Sequence, residues 1–426
     1  MVNLSIPRGT RDFGTKEAIA RKEVIAIIEE MFKRFGFSPI ETPSFENLEV
    51  LNAKSTYGEE SLNEIFKLEG EDAALRYDLT VPLARFVAMN KDLPMPFKRY
   101  QIANVWRKEE PQKMRYREFV QADVDIVGTS EISSDAELIA LGSFILDKLG
   151  IEGYEILVND RILLNEILYL FNVPKEKISK VIRLIDKIPK IGSEEVKMQL
   201  SSLLNQKDAE SIVEFILKED SNEKKIELLE ANINAKEEVK KFKEFMALLD
   251  NYGLKAKVVF DLSLVRGIDY YTSFVWEFVK YDSNGKRLPT LCAGGRYDNL
   301  LGIFSGEKIP ATGMSVGLDR VMDIIGNNEL RKSYAQVFIA YIGDNLDYAI
   351  RIANVLRSNG IYTDMNITKR GLSKQLDYIN SMGIRYAIIV GDSEKKESKL
   401  KLRDMLSGSE ELLSLEEAIN VLKGTK

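Results

Sequence analysis

Hydrophobic spacing changes character three times along this 426-residue chain, dividing it into segments of different architecture. The opening spacing Ile25, Ile28, Phe32, Phe35 is helical and predicts a helix over Lys16–Phe35, closed by Gly36. From Phe37 to Gly128 the pattern turns to short extended runs, such as Ile102–Trp106 and Phe119–Asp125. Two helices join them, near Thr80–Met89 and Asp135–Leu149. Residues 162–250 are rich in Leu, Ile, Lys and Glu at helical spacing, with hardly any strand signal, and read as an all-helical insertion. Strands return at Val258–Leu262, Phe274–Tyr281 and Cys292–Ala293, before a helix at Leu318–Ile325. After a polar linker, Asn327–Ser333, strand and helix alternate across Val337–Ala340, Asp347–Ser358, Ile361–Met365, Leu372–Met382, Tyr386–Val390 and Lys399–Met405. The expected domains are therefore residues 1–161 and 251–326 as two parts of one domain, 162–250 as an insertion, and 333–426 as a last α/β domain.

Composition removes whole classes of chemistry. The chain holds no histidine, so a Ser-His-Asp triad, a Cys-His pair and a His-ligated metal are all excluded. A single cysteine, Cys292, forms no internal disulfide or multi-cysteine zinc site and fits a reducing compartment. Carboxylates, arginines, lysines and hydroxyls must carry any catalysis. No protein-held metal is expected; an oxygen-ligated ion would be magnesium arriving with a phosphate substrate. No run of 18 apolar residues exists, and Met1–Phe13 lacks the apolar stretch of a signal peptide, so a cytoplasmic chain with no membrane partner is expected. The net charge of −6 does not advertise a nucleic-acid binder, but Lys98–Glu118 carries seven basic and three acidic residues.

Arginines dominate the candidate chemistry. Arg107 ends an apolar strand two residues before Glu109, and Arg115 and Arg117 alternate along the next run into Phe119. The segment reads as a hairpin presenting guanidinium groups and a ring on one side, suited to phosphate and a base; salt bridges on an edge hairpin would give the same pattern. Leu264–Tyr271 contains Arg266, Gly267 and paired hydroxyls at Tyr270 and Tyr271. Gly294-Gly295-Arg296-Tyr297-Asp298 either brings main chain against a ligand or makes a turn. Gly313–Arg320 sets glycines at a helix start, fitting anion binding or helix packing.

Together these segments, in this order, resemble the histidyl-tRNA synthetase family over essentially the whole chain. Pro7–Phe13 matches the family's opening, Pro43 the proline of class II motif 1 at a dimer interface, Arg107–Phe119 motif 2 and Gly313–Arg320 motif 3. Leu264–Tyr271 and Ala293–Asp298 match the two histidine-specific motifs. The resemblance implies an α+β class II catalytic domain, its antiparallel sheet flanked by helices, with a helical insertion and a C-terminal α/β anticodon-binding domain. It implies a homodimeric histidine–tRNA ligase that uses ATP and Mg2+ and acts on tRNA(His).

Site roles follow from the same resemblance. Arg107 and Arg266 would hold the ATP α-phosphate from opposite sides as catalytic groups. Arg115 and Arg320 would hold the γ-phosphate, with Glu109 on adenine and Phe119 and Arg320 on its two faces. Asp125 and Tyr271 would take the two imidazole nitrogens; Asp78, Thr80 and Gln121 the α-amino group; Arg266 and Tyr270 complete the histidine site. Asp78 and Asp125 stand where some bacterial members have Glu. The loop around Glu110, Gln112 and Lys113 would face the tRNA acceptor end. The main rival is a non-catalytic relative, the regulatory subunit of ATP phosphoribosyltransferase, which generally lacks the last domain and the motif arginines.

Overall fold

The computed structural model describes residues 4–53, 65–111, 114–265, 271–326, 331–368 and 370–424. The chain divides into two compact units, Met1–Arg11 with Val24–Gly326, and Asp12–Glu23 with Asn327–Lys426. The strands of the first unit are β1 (Ser38–Pro39), β2 (Phe45–Asn47), β3 (Ala73–Leu75), β4 (Phe97–Trp106), β5 (Glu118–Val127), β6 (Tyr154–Asp160), β7 (Lys257–Phe260), β8 (Phe274–Lys280), β9 (Cys292–Arg296) and β10 (Ala311–Gly317). Eight of them form one sheet in the order β1-β4-β5-β10-β9-β8-β6-β7, while β2 and β3 pair separately.

The six inner strands are antiparallel, as expected, but both edges differ: β1 lies parallel to β4, and β7 parallel to β6. Parallel neighbours need a long crossover. The chain supplies one between β6 and β7, where seven helices run from Arg161 to Asn251. The parallel β6–β7 edge thus goes with the insertion, a link that strand propensity does not carry.

Period-two alternation gives the sheet two unlike faces. Ala122, Val124 and Ile126 of β5, with Met314 and Val316 of β10, join one apolar core with the helix Ile132–Lys148. That core continues into the helical segment through Val181, Ile212, Phe242 and Phe245. Phe242 meets Phe260 of β7 at 4.2 Å between ring centroids, and Phe245 meets Phe274 of β8 at 4.3 Å. These rings tie the helix Lys236–Asn251 to the sheet, each worth about 1.5–3 kcal/mol of burial. The opposite face is left to polar side chains in its central part, and there the candidate site lies.

The second unit contains β11 (Val337–Tyr341), β12 (Thr363–Met365), β13 (Tyr386–Val390), β14 (Leu400–Asp404) and β15 (Glu410–Leu413), ordered β12-β11-β13-β14-β15. The first three are parallel and the last two add antiparallel. The expected strand–helix alternation therefore stops at its last member, because Lys399–Met405 enters the sheet as β14. Leu400 and Leu402 are buried on one side of that strand, a period of two that outweighs the alternation of larger elements.

Candidate active site

The β4–β5 hairpin sets the geometry. Its register pairs Arg99 with Asp125, Gln101 with Asp123, and Val105 with Phe119. Alternation puts Phe119, Gln121, Asp123 and Asp125 on the face away from the helical core. Ser315 of β10 sits beside Asp123, and Gly313 beside Asp125.

At the outer end is a cleft of about 210 Å3, lined among others by Arg107, Glu109, Arg115, Phe119, Gln121 and Arg320. Arg107 donates from Nε to the Tyr77 carbonyl at 3.1 Å, and its guanidinium lies 5.1 Å from the Phe119 ring centre. Glu109 draws both arginines together, 3.9 Å from Arg107 and 3.6 Å from Arg115. Arg320 donates to the Thr290 carbonyl at 2.9 Å. The N-terminal segment closes one side: Arg11 stacks on Tyr116 at 3.3 Å and pairs with Asp319 at 2.5 Å. Arg117 leaves the arrangement expected of it. Its amide donates to the Gly9 carbonyl and its Nε to the Glu109 carbonyl, so it braces the hairpin and does not line the cleft.

Inward from Gln121 the floor turns acidic. Asp78, Asp123 and Asp125 are all buried, and they act electrostatically on one another around a fully buried Arg99. Arg99 pairs with Asp125 at 2.6 Å, and the Tyr297 hydroxyl donates to the same carboxylate. Burial raises the pKa of Asp125 despite Arg99, and lifts Asp123 to about 7. Tyr297 is driven well above its usual range, chiefly by burial and then by Asp125. Asp78 accepts the Val81 amide at 3.0 Å at the start of the helix Thr80–Met89, placing Thr80 at that helix's first turn. Three carboxylates around one guanidinium make an acidic cluster suited to a cation or to N–H donors.

The glycines serve side chains of the sheet. A Cβ on Gly313 would lie 1.9 Å from the Asp125 carboxylate, one on Gly294 2.7 Å from Trp276, and one on Gly295 2.6 Å from the Tyr271 ring. The glycine pair lies within β9 and makes no turn. Alternation also splits the motif that follows. Arg296 turns to the helical side and pairs with buried Asp135 at 2.5 Å, so it holds the helix Ile132–Lys148 in place, whereas Tyr297 reaches Asp125.

Among the anticipated residues, Arg107, Glu109, Arg115, Phe119, Gln121 and Arg320 share the cleft, and Asp78, Asp125 and Tyr271 lie buried within the same unit. Arg266 and Tyr270 lie outside the described residues, as do Gln112 and Lys113. Glu110 is exposed and pairs with Arg8 at 2.8 Å. Arg99, Asp123 and Tyr297 were not anticipated as site groups. Continuing the alternation Phe119, Gln121 through Asp123, and across the hairpin to Arg99, would have found two of them.

Comparison with known proteins agrees with this arrangement. The histidyl-tRNA synthetase family model matches residues 9–321, and an anticodon binding domain matches residues 336–425. Histidine–tRNA ligases of Korarchaeum cryptofilum and Aeropyrum pernix are 39% and 38% identical to the chain, each over 98% of it and over 100% and 97% of their own lengths. The crystal structure of histidyl-tRNA synthetase from Nostoc sp. PCC 7120 covers 100% of both chains, with a TM-score of 0.90 at 30% identity. A Bacillus halodurans structure described as an ATP phosphoribosyltransferase regulatory subunit/histidyl-tRNA synthetase is less similar, with a TM-score of 0.76 at 25% identity over 92% of this chain and 99% of that one. With both domains matched and full-length relatives on either side, the chain belongs to the histidyl-tRNA synthetase family.

Proposed function

We propose that the cleft activates histidine with ATP to histidyl-adenylate and passes the histidyl group to the 3′ end of tRNA(His). The observation that carries this reading is the juxtaposition of an arginine-lined cleft with an acidic floor on one sheet face. The reaction brings a carboxylate against a phosphate, two anions that repel unless fixed cations hold them in line. Arg107 and Arg266 grip the α-phosphate from opposite sides, and preorganised charge there stabilises what develops in the transition state. Arg115 and Arg320 hold the γ-phosphate, Glu109 meets the adenine, and Phe119 and Arg320 flank it. Among the described residues no cluster of three or more His, Cys, Asp or Glu could hold a metal ion. Magnesium would arrive with ATP and supply positive charge to its phosphates.

In the floor, Asp125 and Tyr271 accept from and donate to the two ring nitrogens of histidine. Asp78, Thr80 and Gln121 hold its amino group, with Arg266 and Tyr270 completing the enclosure. A site built on such hydrogen bonds rejects an isostere that leaves them unmade by about 10⁴–10⁵. The C-terminal domain reads unpaired anticodon bases, and the loop around Glu110, Gln112 and Lys113 meets the acceptor end. Two copies associate through the segment containing Pro43, where the neighbouring Phe45 is 56% exposed. Among the described residues no helix is long and apolar enough to cross a membrane, and the reading places the chain in the cytoplasm. The boundaries 162, 250 and 326–333 remain the proposed domain limits.

ATP–pyrophosphate exchange with each standard amino acid tests the assignment. Exchange is expected with histidine only, and almost none in Arg266→Ala. Exchange driven by a different amino acid would overturn the specificity; copurification with a phosphoribosyltransferase and no exchange would favour the regulatory reading.

A further inference from the structure

The roles above leave one buried carboxylate of the floor unused. Asp123 lies on β5 between Gln121 and Asp125, 4% exposed, with Gln101 across from it on β4 and Ser315 on β10. It does not line the cleft, whereas Gln121 and Ser315 do. Ser315 joins the two: its hydroxyl is hydrogen-bonded to the Asp123 carboxylate, and Gln121 donates from Nε2 to Ser315 Oγ at 3.2 Å.

The direction of this chain is dictated by proton counting. An ionised carboxylate only accepts, and a hydroxyl has one proton to give. Above about pH 7, where Asp123 is ionised, Ser315 gives that proton to Asp123 and can then only accept from Gln121. The Gln121 amide is thereby oriented with nitrogen toward Ser315. Its Oε1 points the other way, buried and without a hydrogen-bond partner among the described residues. Nothing in the shape of an amide would otherwise distinguish its two ends.

We infer that Asp123 is a positioning residue which, through Ser315, locks Gln121 with its carbonyl oxygen toward the α-ammonium of the bound amino acid. The inference rests on the proposed role of Gln121 in holding that ammonium. Reversing the relay would present an NH2 group to a cation and turn attraction into repulsion. Arg99, Asp125 and Asp78 are the charged groups around Asp123.

The test is ATP–pyrophosphate exchange at pH 8 on the full chain, with histidine and ATP varied separately. Asp123→Asn is isosteric, but its NH2 can donate to Ser315 and allow the relay to run backwards. The histidine KM should rise by about tenfold or more, as for loss of one hydrogen bond to a charged group. The ATP KM should stay within about twofold. Ser315→Ala, which leaves the buried charge alone, should raise the histidine KM similarly and non-additively with Asp123→Asn. The sharpest outcome involves Gln121→Glu. Its carboxylate faces a Ser315 whose proton is committed to Asp123, so histidine binding weakens. Adding Asp123→Asn frees that proton, and the double variant should bind histidine better than Gln121→Glu alone. A merely structural Asp123 would make the double variant worse. An unchanged histidine KM in Asp123→Asn, an equal rise in both KM values, or no recovery in the double variant would overturn the relay. If Gln121→Ala leaves the histidine KM unchanged, the assignment of Gln121 as a substrate ligand fails. If Gln121→Ala weakens histidine and Asp123→Asn does not, only the relay fails.

Discussion

Arg99 and the carboxylates around it show how much a single side chain can be asked to balance. Arg99 is fully buried against Asp125. Removing one partner of a buried pair costs about 3–5 kcal/mol, because the other charge is left uncompensated. Arg99→Leu should lose about that much in urea unfolding at pH 8, and less at pH 5.5, where Asp123, raised to about 7, takes up a proton. A smaller loss at pH 8 than at pH 5.5 would contradict the ion-pair account. Asp123 makes a separate prediction. Its folded pKa of about 7 lies above the ordinary value of 3.8, so the folded state holds a proton that the unfolded chain has released. The resulting stability is full below pH 3.8 and is lost as pH rises to about 7. Asp123→Asn stays neutral throughout, so its melting temperature should exceed that of the parent at pH 8, with the gap narrowing toward pH 5. Such a variant would be more stable and a poorer binder of histidine, the trade expected where charge is kept for function. These groups were only partly legible in the residues. Asp125 entered through the family resemblance and Asp123 follows by alternation from Gln121, while Arg99 needed the hairpin register, which joins positions 99 and 125 that local pattern leaves unrelated.

Elements with a strong period were legible, and those whose identity depends on neighbours were less so. The helix Thr80–Met89 was legible with its own bounds, and the runs Ile102–Trp106 and Phe119–Asp125 marked the end of β4 and most of β5. β14 was not legible, because a short amphipathic run is settled by whether a sheet edge awaits it. The helix Lys236–Asn251 depends on the sheet through its two fully buried rings, Phe242 and Phe245. Phe242→Ala should cost about 3–5 kcal/mol in equilibrium unfolding, the usual range for emptying an aromatic site. Because Phe242 packs on Phe260 of β7, the loss should appear as one cooperative transition of helical segment and sheet together. Early melting of the helices alone would show that the two do not share a core.

At the level of the whole molecule, the family assignment carries a prediction about assembly. Sedimentation should show a dimer at micromolar concentration, and Phe45→Glu should shift it toward monomer; a monomeric parent chain would defeat the proposal. The catalytic sheet itself combines local and distant information. Residue types and their spacing were enough to announce strands, helices, a guanidinium-bearing hairpin and the absence of imidazole chemistry, because periodicity and side-chain chemistry are properties of neighbours in the chain. They were also enough to bring the family into view. The parallel edges of the sheet, the diversion of Arg296 to a structural ion pair, and the meeting of Asp78, Arg99, Asp123, Asp125 and Tyr297 were settled by folding alone. Each depends on which distant strands lie side by side, and the energy of a buried charge is set by everything that surrounds it in space.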